Sequence, residues 1–100
     1  MNTFGQKLRE KREEMSLLLR EVAAQIEVDT AMLSKIERGE RKAKKGHLIG
    51  LSKILELDYK ELHALWLADQ VYILVENEED AVEILKMAES KVSYNREKKQ

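Results

Sequence analysis

One hundred residues, 43% hydrophobic and 37% charged, with no proline and no cysteine, describe a compact helix-rich chain: one ordinary domain, or a small domain with an appendage. The absent cysteines exclude disulfides and thiolate metal sites, and without a leader pattern or a span-length apolar run the expectation is a cytoplasmic protein with no membrane partner. The net charge of −1 hides a division: residues 1–53 hold twelve Lys/Arg against eight Asp/Glu, and residues 54–100 hold six against eleven, a basic front and an acidic back.

Thr3-Phe4-Gly5-Gln6 has the form of a capping box, so a first helix is predicted from Phe4 to Glu14, with Phe4, Leu8 and Met15 buried. Ser16 is the nearest cap for a second helix, Leu18 to Glu27. Leu17 reads as core, yet three consecutive leucines cannot all face inward, which leaves an exposed leucine in Leu17-Leu18-Leu19. Val22, Ala23 and Ile26 share one helix face. A second apolar register opens with Leu33 and Ile36, and Asp29 is placed to cap a third helix, Thr30 to Arg38. Gly39 ends it in the left-handed position. By themselves, two registers broken at Val28 describe an αα-hairpin. The loop Glu40-Arg41-Lys42-Ala43-Lys44-Lys45-Gly46 follows, with four basic residues in five positions; a solvated charge run is its plainest reading.

A fourth helix, Lys45 to Leu55, carries Leu48, Leu51 and Leu55 on a core face, while Gly50 either permits close helix packing or merely costs stability. His47 is expected on the surface. Asp58 caps a fifth helix with Glu61 as reciprocal partner, and Leu62, Leu65 and Trp66 complete the core. His63 is a surface residue on this reading, and no further His or carboxylate has the spacing that would make a metal site of either histidine. The fifth helix is read as continuing to Val75, with a strand over Val71–Val75 as the alternative. Asn77-x-x-Asp80 caps a sixth helix whose Ala81, Leu85, Ala88 and Val92 form a stripe flanked by Ile84. From about Ser93 the pattern fades, and a frayed tail is expected. A core this small cannot cover both C-terminal apolar elements. A twofold interface through Val71, Leu74, Leu85 and Ala88 is the economical solution.

The stretch from Val22 to Arg38 resembles the helix-turn-helix of the Cro/C1-type (XRE) family over about residues 4–67. Val22-Ala23 takes the place of the usual Leu-Ala, Val28 matches the turn hydrophobe, and Leu33-Ser34 matches Ile-Ser. Ile36-Glu37-Arg38-Gly39 matches the Ile-Glu-x-Gly ending. The resemblance implies an all-α fold: a five-helix lambda-repressor-like DNA-binding domain, residues 1–67, with an additional C-terminal helical extension for dimerisation, residues 68–100. It also implies a structural ion pair between Arg12 and Glu37. By position, Thr30, Ala31 and Lys35 face bases and Ser34 a phosphate, and the chemistry agrees. Thr30 suits either kind of base edge, Ala31 a thymine methyl, and Lys35 guanine O6 and N7. Coming directly after a recognition helix, Arg41, Lys42, Lys44 and Lys45 become phosphate contacts.

Three departures stand out. Glu27 occupies the site of the usual turn glycine, which implies strain of roughly 1–2 kcal/mol. Leu19 stands where the family has a phosphate-gripping glutamine, and Arg20 is the substitute. Ala43 replaces a frequent loop proline.

The expectation is a homodimeric, sequence-specific transcriptional regulator on double-stranded DNA at a (pseudo)palindromic operator, with no cofactor and no metal. The alternative is a protein-interaction module or antitoxin gripping a second protein partner with the same fold. An enzyme is not expected: nothing supplies a nucleophile–base pair, a phosphate-cradling glycine loop or a metal cluster.

Overall fold

The computed structural model describes residues 3–98, and these form six α-helices: α1 Phe4–Glu14, α2 Leu19–Gln25, α3 Thr30–Glu37, α4 His47–Ile54, α5 Tyr59–Val75 and α6 Ala81–Lys98. The described residues are without strand, so the fold is all-α, a lambda-repressor-like arrangement with an added C-terminal helix. They divide into two compact units, one ending at Asp69 and the other beginning at Gln70.

In the first unit α1 starts at a reciprocal cap. Gln6 N donates to Thr3 Oγ1 at 3.2 Å and Thr3 N to Gln6 Oε1 at 3.1 Å, satisfying two of the orphan donors at a helix start. Asp69 Oδ2 accepts from Phe4 N at 2.8 Å, placing a carboxylate at the positive end of the helix dipole. Phe4 and Leu8 are buried; Met15 is the half-exposed C-cap rather than a core residue. Gly5 is buried for a reason that periodicity does not reveal. A Cβ there would lie 2.5 Å from the carbonyl oxygens of Ile36 and Glu37, so only glycine lets α1 press on the end of α3.

Ser16 is not the cap of α2. It takes φ 57° and terminates α1, and Leu18 occupies the cap position, its N–H bonded to Glu21 Oε1 at 2.9 Å. The second helix is therefore shorter than predicted at both ends. Leu17 and Leu19 pack against the core, and Leu18 is the exposed leucine of the triplet. Glu27 takes φ 57° in the turn before α3, as its replacement of glycine implies, and Val28 N closes the turn on Ala23 O at 3.0 Å.

Helix α4 begins two residues after the predicted Lys45. Its Leu48 and Leu51, with Leu55 just beyond, are fully buried, each burial contributing about 1.5–3 kcal/mol. Gly50 does permit a close crossing: a Cβ there would meet Ile26 Cγ2 at 3.0 Å. Asp58 Oδ2 accepts from Glu61 N at 3.0 Å to start α5, which stays helical through Val75.

The second unit holds the end of α5, a short turn and α6. Val75 is buried, Ala81 and Ile84 are half-buried, and α6 has no buried residue. Asp80 alone directly precedes α6; Asn77 lies back in the turn and is not its N-cap. Helix α6 runs to Lys98, with Arg96 and Lys98 in its last turn complementing the helix dipole. Lys99 and Gln100 lie outside the described residues.

Candidate nucleic-acid interface

Helix α3 is held outward by its own two-sidedness. Asp29 Oδ1 accepts from Met32 N at 2.7 Å and fixes where the helix begins. Leu33, Ile36 and Glu37 then turn inward and are buried, while Thr30, Ala31 and Lys35 stand exposed on the other side. Met32 is half-buried against the core, so it packs rather than reaching outward.

The inner end of α3 is tied to α1 by the Arg12–Glu37 pair. Arg12 Nε donates to Glu37 Oε2 at 2.8 Å, Nη2 to Oε1 at 3.1 Å, and Nη1 to the Leu17 carbonyl at 3.1 Å. The two side chains are 13% and 5% exposed. This forked geometry satisfies both charges where water is scarce. The hydrogen bond to Glu37 raises the Arg12 pKa further; burial opposes this, and the Coulombic attraction of Glu37 adds to it.

Beyond the helix end, Arg38 bonds Glu40 at 2.6 Å and also donates to Ser34 Oγ. Ser34 is half-buried, its hydroxyl oxygen taken up by the bond from Arg38. The Arg38 hydrogen bond holds the Glu40 carboxyl below its usual range, with Lys35 contributing a smaller Coulombic share.

The basic loop is not a uniformly solvated run. Arg41, Lys42, Lys44 and Lys45 are exposed, but Ala43 between them is only 1% exposed. Its carbonyl accepts from Trp66 Nε1 on α5 at 2.8 Å. On the α4 side, His47 Nδ1 accepts from Lys44 N at 3.2 Å and His47 N donates to Lys44 O at 2.9 Å. His47 is thus half-buried and engaged. Arg20, in the first turn of α2, is exposed. Leu19 beside it is a packing residue, which gives a physical reason for an apolar side chain where the resemblance leads one to expect glutamine.

The structure thus leaves every DNA-facing residue named from the sequence exposed or half-buried. Val71, Leu74, Leu85 and Ala88 belong to the second unit and are all exposed, Leu74 by 80%. Sequence reasoning missed Gly5, the Asp69 cap and the Trp66–Ala43 bond. Their only trace in the sequence is a glycine at the second position of a helix and an alanine within a charge run. Among the described residues no cluster could hold a metal ion, and no helix is long and apolar enough to cross a membrane.

The chain belongs to the helix-turn-helix family of the Cro/C1 type, a family of DNA-binding regulators, on a match spanning residues 8–62. Its fold is similar to one chain of a solved SinR protein/SinI protein complex, with a TM-score of 0.54 and 22% sequence identity. That alignment covers 91% of this chain and 99% of the other. No curated protein matches the sequence.

Proposed function

We propose that the protein is a cytoplasmic, sequence-specific transcriptional regulator that binds double-stranded DNA as a homodimer at a (pseudo)palindromic operator. One observation carries this reading: Thr30, Ala31 and Lys35 stand exposed on α3 while Leu33 and Ile36 anchor the helix from behind. In this motif the N-terminal part of the second helix enters the major groove, and dimers place two such helices ~34 Å apart. Thr30, Ala31 and Lys35 read base edges. Arg20, Ser34, Arg41, Lys42, Lys44 and Lys45 hold phosphates and set register. Val71, Leu74, Leu85 and Ala88 form the contact between subunits, and binding acts by occupancy, without cofactor or metal.

Titration of a selected binding site and of mixed-sequence duplex at several salt concentrations tests the DNA reading. Lys35→Ala costs ~1–3 kcal/mol on the selected site and relaxes preference at one base position. Lys44→Ala weakens all sequences alike and lowers the logarithmic salt slope by roughly 0.9. A flat salt dependence, or no preference for any duplex, rejects the reading. Sedimentation tests the dimer: Leu74→Glu or Leu85→Glu shifts the protein toward monomer, and an unchanged profile removes this interface.

A second reading has its own support. The structurally similar chain comes from a complex between two different proteins, and the second unit exposes a large apolar surface. A stoichiometric partner that co-purifies with the protein, together with DNA affinity unaffected by Lys35→Ala, favours a protein-interaction module or antitoxin.

A further inference from the structure

The basic loop has an anchor that its charge pattern hides. Six of its seven residues are exposed, and Ala43, in the middle, is buried. The chain therefore dips inward once, between Arg41-Lys42 and Lys44-Lys45. At the bottom of the dip the Ala43 carbonyl meets the indole N–H of Trp66 at 2.8 Å. Trp66 is itself steadied on α5, in a ring series with His63 at 5.8 Å and Tyr59 a further 6.0 Å from His63. The loop's exit is fixed separately by the two bonds between Lys44 and His47.

We infer that Trp66 is a positioning residue for DNA binding: its indole N–H pins the Ala43 carbonyl, and so presents the cations on either side of it to the phosphate backbone as one preformed clamp. The inference rests on the proposed role of Arg41, Lys42, Lys44 and Lys45 as phosphate contacts. The physical effect is pre-organisation. A free loop loses backbone entropy when it closes on a phosphate row, whereas a pinned loop has lost much of it on folding. Burial of the Ala43 methyl alone leaves the peptide free to rotate about the contact. The directional bond to its carbonyl does not.

The test uses the full chain and mixed-sequence duplex as probe, because phosphate contacts do not depend on sequence. Trp66→Phe keeps the aromatic packing and removes the donor. Leu65→Ala, a core truncation on the same helix, controls for lost stability, and every variant is measured well below its Tm. The expected result is a roughly three- to tenfold loss of affinity in Trp66→Phe with a shallower salt slope, while folded Leu65→Ala binds as the parent does. Lys44→Ala and Lys45→Ala each weaken binding too. The combination of Trp66→Phe with Lys44→Ala weakens it by less than the product of the single effects, because the tryptophan acts through the lysine.

Full affinity in Trp66→Phe, with the lysine variants still weakened, overturns the positioning role and leaves the phosphate contacts standing. Strictly multiplicative effects overturn it as well. Lysine variants with an unchanged salt slope overturn the phosphate contacts themselves.

Discussion

The two units of this chain spend their apolar residues in opposite ways. In the first, α1 to the early part of α5, leucines and isoleucines at helical spacing converge on one core: Leu8, Val22, Leu33, Ile36, Leu48, Leu51 and Leu55 are almost wholly removed from water. In the second, Val71, Tyr72, Ile73, Leu74, Val82, Leu85, Met87 and Val92 are equally apolar and stay exposed, with Val75 the one buried hydrophobe among its described residues. Both have regular helices. Helix formation is therefore not what separates them; the difference is whether one chain supplies enough surfaces to close a core. The exposed apolar side chains of the second unit are the ones on which the proposed contact between subunits rests.

The contrast is broken most severely at the ion pair inside the first unit. Arg12→Ala leaves the Glu37 carboxylate buried without its partner, which costs about 3–5 kcal/mol and is read as a fall in denaturant midpoint. Arg12→Lys recovers only part, since an ammonium cannot reproduce the forked bond. A loss below 1 kcal/mol in Arg12→Ala would mean that water reaches Glu37. Next in size comes a matched pair of leucine truncations, measured as monomer at dilute concentration. Leu51→Ala costs about 2–5 kcal/mol, whereas Leu74→Ala stays within roughly 0.5 kcal/mol. Similar losses from the two would show that Leu74 is covered within a single chain.

These particular residues also show what a sequence does and does not disclose. Leu48, Leu51 and Leu55 were legible because helical spacing and burial are the same signal. The Arg12–Glu37 pair spans 25 positions and came only from resemblance, since nothing in composition links the two. The roles of Gly5 and Ala43 were missed for a common reason. Their importance lies in what approaches them, the carbonyls of α3 in one case and an indole in the other, and tertiary proximity leaves no periodic trace. The boundaries of α2 failed because Ser16 was read as a cap by its chemistry. Its backbone at φ 57° is instead used to end α1. Outward and inward faces of α3 were readable, since Leu33 and Ile36 define one and leave the other.

A smaller effect is expected at the turn. Glu27 holds φ 57°, a conformation that costs a side-chain-bearing residue roughly 1–2 kcal/mol and glycine almost nothing. Glu27→Gly therefore raises stability by about 1 kcal/mol, less the entropy that glycine adds to the unfolded chain. No gain in denaturant midpoint would mean that the turn carries no strain.

The mildest change lies at the edge of the proposed DNA-facing surface. Glu40 is exposed, bonded to Arg38, and close enough to Lys35 to feel its charge. Its pKa is lowered in the folded state, first by the Arg38 hydrogen bond. Any stability from this pair is therefore present above the ordinary carboxylate pKa and is lost as pH falls through the lower folded value. At neutral pH the carboxylate is ionised, and its negative charge opposes the approach of phosphates to Lys35 and the basic loop. Glu40→Gln should leave the thermal midpoint almost unchanged and tighten binding to mixed-sequence and selected duplexes by a similar small factor, about two- to threefold at low salt. The gain should vanish as salt screens the charge. A gain confined to one selected sequence would instead mean that Glu40 takes part in reading bases, and the line between base-reading helix and phosphate-holding loop would have to be drawn further along the chain.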